Sequence, residues 1–207
     1  VRVAAGLVAL VLLAACGADP YYRGELDTDE RVPATARSTA AALLDHLEDV
    51  DVRAVGGVED TDATDDPRPV LIATAAIDDA EVSVSVAPED PDLDGAQLCG
   101  ALARWCSDAV ATDDEGNRTP YQVLWQPAGA ATGQGTAGMV LLRGDARVSV
   151  TVAGARIPSS VDWTRFPVSR TVLESILLDP AIALETTPEL LADGEEIADF
   201  QDRAFGL

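Results

Sequence analysis

The chain has 207 residues and a formal net charge of −22, with 36 acidic against 14 basic residues. That balance argues against nucleic acid, which is bound largely by neutralising phosphates with Lys and Arg, and against a body lying flat on anionic headgroups, which its field would repel. What remains is a solvated acidic surface, or one facing cations or a basic partner, on a chain long enough for one cored domain.

An uninterrupted apolar run of 13 residues covers Val3 to Ala15. A membrane-spanning helix needs about 20 residues, whereas the apolar region of a signal peptide runs roughly 7–15. The run closes in Leu13-Ala14-Ala15-Cys16, which resembles the lipobox of bacterial lipoproteins. The resemblance implies that residues 1–15 are removed as a signal peptide and that Cys16 receives a diacylglycerol thioether. It implies attachment to the cell membrane on the extracytoplasmic side. Two acyl chains, at about 0.8 kcal/mol per buried CH2, anchor without further protein contacts. Residues 16–32, the lipidated Cys and a polar, acidic stretch, read as a flexible tether. Residues 33–207 read as a single extracytoplasmic domain.

Pro33 is expected to open a helix at the position proline prefers. Ala40, Leu43, Leu44 and Leu47 follow at helical spacing, and the helix should end near Asp49. Val52 to Val58 suggest a short strand before the acidic loop that starts at Glu59. Val70–Ile77 and Glu81–Ala87 predict a hairpin about Asp78-Asp79, with Val82, Val84 and Val86 opposite Ala75, Ala73 and Leu71 on one face. Ser83 and Ser85 then point to the other face, the alternation of a sheet with one wet side.

A helix is expected over about Gly95 to Arg104, and a strand over Tyr121 to Gln126. Met139–Arg143 and Arg147–Ala153 predict a second hairpin about Gly144-Asp145, with Leu141 facing Val148 and Met139 facing Val150. Pro167 should open a helix whose apolar face carries Val168, Val172, Leu173, Ile176 and Leu177, stopped at Asp179-Pro180. Thr187-Pro188 should cap a last helical stretch with Leu190, Leu191, Ile197 and Phe200. The segment Glu81-Val-Ser-Val-Ser-Val-Ala87 recurs almost unchanged as Arg147-Val-Ser-Val-Thr-Val-Ala153, 66 residues on. The expected fold is therefore α+β: an antiparallel sheet with helices packed on one face, built as a duplicated αβββ unit plus C-terminal helices.

In an oxidising compartment Cys99 and Cys106 read as a disulfide. Seven residues along one straight helix span about 10.5 Å, beyond the roughly 7 Å a disulfide tolerates, so a helix must end between them if they are bonded. Asp90, Asp92 and Asp94, followed by Gly95, have the alternating spacing of a calcium loop, and are the candidate ligands of a structural calcium. The glutamate that an EF-hand needs at position 12 is replaced by Ala101. Beyond that ion no cofactor is expected.

His46 is the only histidine. A Ser-His-Asp or Cys-His nucleophile system would depend on it alone, and a structural role is the simpler reading. The GxSxG elbow and the glycine-rich phosphate loops are absent from the sequence. Arg143-Gly144-Asp145 spells an adhesion tripeptide that its hairpin position explains. Trp105, Trp125 and Trp163 mark a binding site if clustered and exposed, and packing if buried. The expected function is a lipid-anchored binding or accessory module that meets a protein or small ligand, not an enzyme. The alternative is a carrier of lipid or another small apolar ligand, with a cavity between sheet and helices.

Overall fold

A computed structural model describes residues 30–63, 66–89, 105–112, 116–126, 135–154, 163 and 166–203. The elements in chain order are β1 (Val32–Pro33), α1 (Ala36–Asp45), β2 (Val52–Asp60), β3 (Val70–Ile77), β4 (Ala80–Pro88) and β5 (Trp105–Thr112). They continue with β6 (Arg118–Gln126), β7 (Gly135–Arg143), β8 (Ala146–Gly154), α2 (Arg170–Leu178), β9 (Glu185–Thr186) and α3 (Pro188–Glu196). Seven strands form one antiparallel sheet in the order β2-β3-β4-β8-β7-β6-β5, and β1 pairs with β9 as a separate ribbon. The fold is α+β, as expected.

Alternation decides which face is dry. Val82, Val84 and Val86 on β4 and Val148, Val150 and Val152 on β8 are wholly buried on one face. They pack with Leu43 and Leu47 from α1 and its following turn, and with Leu173, Ile176 and Leu177 from α2. Helix α1 lies over β2 and β3, α2 over β7 and β8, and α3 against α1. Alanines at the centre (Ala40, Ala73 and Ala75) carry no bulk, so backbone and helix approach closely.

Both hairpins pair as their sequences predict. Val84 faces Ala73 and Val150 faces Met139. These pairs are equivalents under the 66-residue repeat, and so are Gly56 with Thr74 and Gln122 with Val140. Strands β2, β3 and β4 thus recur as β6, β7 and β8 in the same register. The two copies meet along β4 and β8, where Val84 pairs with Val150, its own equivalent. A local two-fold axis passes through that pair.

The repeat does not extend to what precedes it. Before β2 stands α1; directly before β6 stands β5, a strand that the sequence pattern does not announce. The helix expected over Gly95 to Arg104 lies outside the described residues. Pro33 does not open α1 but pairs with Glu185 in β1. The helix starts at Ala36 because Thr35 and Ser38 form a reciprocal capping box. It ends at Asp45, short of Asp49, with His46 as its C-cap.

The outer edge of β2 is covered by the C-terminal segment. Gly57 N–H donates to the Gln201 carbonyl and Gln201 N–H to the Val55 carbonyl, both at 3.0 Å. Glycine is required here: a Cβ on Gly56 would sit 2.7 Å from the carbonyl oxygens of Gln201 and Arg203. Gly194 plays the same part where α3 meets α1, since its Cβ would lie 2.7 Å from the backbone of Arg37 and Ser38.

Candidate functional site

The two helices that cover the sheet end beside each other, and polar side chains gather at that junction. His46 caps the C-terminus of α1 and Asp179 that of α2. His46 Nε2 lies 2.8 Å from Asp179 Oδ2, and His46 Nδ1 lies 3.1 Å from Ser175 Oγ. The other carboxylate oxygen of Asp179 accepts from Ala181 N–H at 2.8 Å. Ser175 itself donates to the Val172 carbonyl at 2.8 Å. The side chains of His46 and Asp179 are about four-fifths buried.

These three residue types are those of a nucleophilic triad, but their arrangement differs. A triad histidine must offer a lone pair to the serine proton, and here a backbone carbonyl, that of Val172 at 2.8 Å, competes with His46 Nδ1 at 3.1 Å for the one proton of Ser175. Ser175 also lies inside α2, whose N–H groups bond along the helix and do not converge on an oxyanion. Chemically, the arrangement can hold two helix ends together.

Beside it, Arg143 enters from the end of β7. It is 93% buried and donates to the carbonyls of Leu178, Asp179 and Ile182. These carbonyls end α2 and the following turn, where a cation offsets the negative end of the helix. Further along α2, Tyr121 of β6 donates to Glu174, and Arg170 donates to Glu174 at 3.0 Å and to the Tyr121 hydroxyl at 2.6 Å. Burial, then the Glu174 carboxylate, push the Tyr121 hydroxyl up to about 12.

The acidic segment that ends β2 and continues past it also has structural partners. Glu59 accepts from Ala36 N–H at the first turn of α1, at 3.0 Å. Arg68 pairs with Asp66 at 2.9 Å and with Asp145 across the second hairpin. Hydrogen bonds from Arg68 hold the Asp66 carboxyl down at about 2.

Among the predicted site residues, Cys16, Cys99, Asp90, Asp92 and Asp94 lie outside the described residues. Cys106, on the face of β5 away from the helices, is disulfide-bonded. Among the described residues no group of His, Cys, Asp or Glu is placed to hold a metal ion. Trp125 is 1% exposed and packs edge-on against Trp163 and Phe166, with centroids 5.8 and 5.4 Å away. Those two tryptophans are therefore packing. The backbone of Trp105 pairs with that of Trp125. Arg143 is buried, so the tripeptide of the second hairpin is not presented as an adhesion motif. Ser175 and Asp179 are the residues that sequence reading did not connect with His46.

Among the described residues no helix is long and apolar enough to cross a membrane. The sequence matches no protein-family model, no curated protein and no solved structure.

Proposed function

We propose that the protein is a lipoprotein anchored to the cell membrane on its extracytoplasmic side, and that its α+β body is a binding or accessory module. The observation that carries the reading is Leu13-Ala14-Ala15-Cys16 closing a 13-residue apolar run. Residues 17–31 would then lift the body up to about 50 Å from the bilayer if fully extended. The polar side chains described under the helices have structural partners. His46, Arg143 and Tyr121 each hold one element to another.

The carrier alternative draws less support. Between the sheet and α1 and α2, the space is filled by side chains that are wholly buried, Val84, Val150, Leu43 and Ile176 among them. The test is intact mass and membrane extraction of the expressed protein beside a Cys16→Ser version. A diacylated mass that disappears in the Ser version, with no lipid retained by the body, is the expected result. Unmodified, freely released protein would sink the anchor. Lipid copurifying with the Cys16→Ser body would put the carrier first.

A further inference from the structure

We infer that the outer edge of β5 is a docking site for an extended segment of a basic partner protein, one that adds to the seven-stranded sheet and alternates apolar with basic residues. This names the partner class of the binding module proposed above and rests on that reading. The two ends of the sheet differ. At β2 the register shifts between Val52 and Ala54, and Gln201 bonds to the backbone of Val55 and Gly57. At β5 the register runs unbroken from Trp105 to Thr112, and among the described residues no strand pairs with the outer edge. Irregular register, a covering segment, lysine and proline are the usual ways of blunting an edge. The first two guard β2; β5 has an even register and neither lysine nor proline.

Strand direction determines which backbone groups are on offer. In β2 the dry-face residues Val55 and Gly57 turn their backbone groups out of the sheet, where Gln201 meets them. Every neighbouring pair in the sheet is antiparallel, so β5, six places along the order, runs parallel to β2. Its dry-face residues Ser107, Ala109 and Ala111 therefore turn their groups inward to β6, and Asp108, Val110 and Thr112 turn theirs to the open edge. All three are exposed, and Val110, at 43%, is the more exposed of the two large apolar residues exposed among the described residues. On the dry face an added strand would lie beside Ala109 and Ala111, small enough to admit large apolar side chains. On the outer face it would meet Asp108, the one charged side chain of β5. That carboxylate, on a chain of net charge −22, draws a basic segment and repels a second copy of the same chain.

The probe is a short labelled peptide alternating Val and Lys, added to the full-length protein. The controls are the same residues grouped into blocks, and a peptide alternating Val and Glu. The Val-Lys alternation should bind and slow hydrogen exchange at Asp108, Val110 and Thr112, and the controls should do neither. Val110→Pro removes an outward N–H at an edge position that tolerates proline, and should weaken binding about tenfold. Asp108→Lys should reverse the preference between the Lys and Glu peptides, and it decides alone if Val110→Pro fails to fold. Equal binding of the blocked peptide, or no binding of the alternating one, would overturn the edge. So would binding that survives both substitutions, a result that leaves the binding module standing at another surface. A dimer in the absence of peptide, made monomeric by Val110→Pro, would put a second copy in the partner's place. The anchor is judged separately, by the mass of the Cys16→Ser version.

Discussion

Val84 and Val150 are cross-strand partners at the centre of the sheet and occupy the same place in the two copies of the repeat. Both are wholly buried among the same kinds of neighbours. Replacing either by Ala should cost about 2–3 kcal/mol, from lost burial of two methyl groups and the cavity left behind. The symmetry adds a sharper expectation, that the two costs match to within about 0.5 kcal/mol. Because the side chains are neighbours, the double variant should depart from the sum by at least about 0.5 kcal/mol. Urea unfolding of the three variants measures both. Strongly unequal single costs would mean that the repeated register does not carry repeated packing.

The two hairpin turns are equivalent in place but not in residue. Asp78 has φ 51° where Gly144 has φ 60°. An L-residue in this region is strained, although Asp tolerates it better than most. Asp78→Gly should therefore raise stability by about 0.5 kcal/mol, the relief of strain exceeding the added freedom of the unfolded chain. Gly144→Ala should lower it by about 1 kcal/mol. A Cβ at Gly144 meets nothing within 4 Å, so conformational strain is the whole cost there. Destabilisation by Asp78→Gly would show that the Asp side chain is worth more to the turn than the strain it brings.

The hairpins were legible because a period of two fixes facing and a two-residue turn fixes register. Strand β5 was not. Its inward residues Ser107, Ala109 and Ala111 are small, and as an edge strand it lacks the valines that announce β4 and β8. The start of α1 was misplaced because Pro33 outweighed the Thr35–Ser38 box two residues later. The His46 junction had no local signal at all, since Ser175 and Asp179 lie 129 and 133 residues away in the chain. Arg143 did carry one. Its parity on β7 is that of Met139 and Leu141, which puts a charge on the dry face and asks what it caps.

Alkaline pH gives a prediction centred on Tyr121. Its hydroxyl is pushed up to about 12 from an ordinary 10, by burial first and then by the Glu174 carboxylate. The folded state holds the neutral form, and the unfolded state loses the proton sooner. This contribution to stability is therefore complete below about pH 10 and is lost as pH rises through about 12. Tyr121→Phe should flatten the stability profile in that window. Phenolate absorbance offers a direct reading on the three tyrosines: Tyr121 should titrate last, together with alkaline unfolding. Three hydroxyls titrating together near pH 10 in the folded protein would contradict the burial argument.

Arg143 should be the costliest surface-charged residue type to remove, because little of it is at the surface. It is 7% exposed and holds the carbonyls of Leu178, Asp179 and Ile182. Arg143→Met keeps much of the stem's packing but leaves those buried acceptors without their donor, which should cost about 2–4 kcal/mol. Arg143→Lys should recover only part of that, since one ammonium cannot reproduce the spread of the guanidinium fork. Arg31 provides the contrast: its ion pair with Glu185 is 3.9 Å long and open to solvent, so Arg31→Ala should change stability by less than about 0.5 kcal/mol. Urea midpoints at constant m report all three. If Arg143→Met matched Arg31→Ala, the cap on α2 would be carried by the His46–Asp179 contact alone.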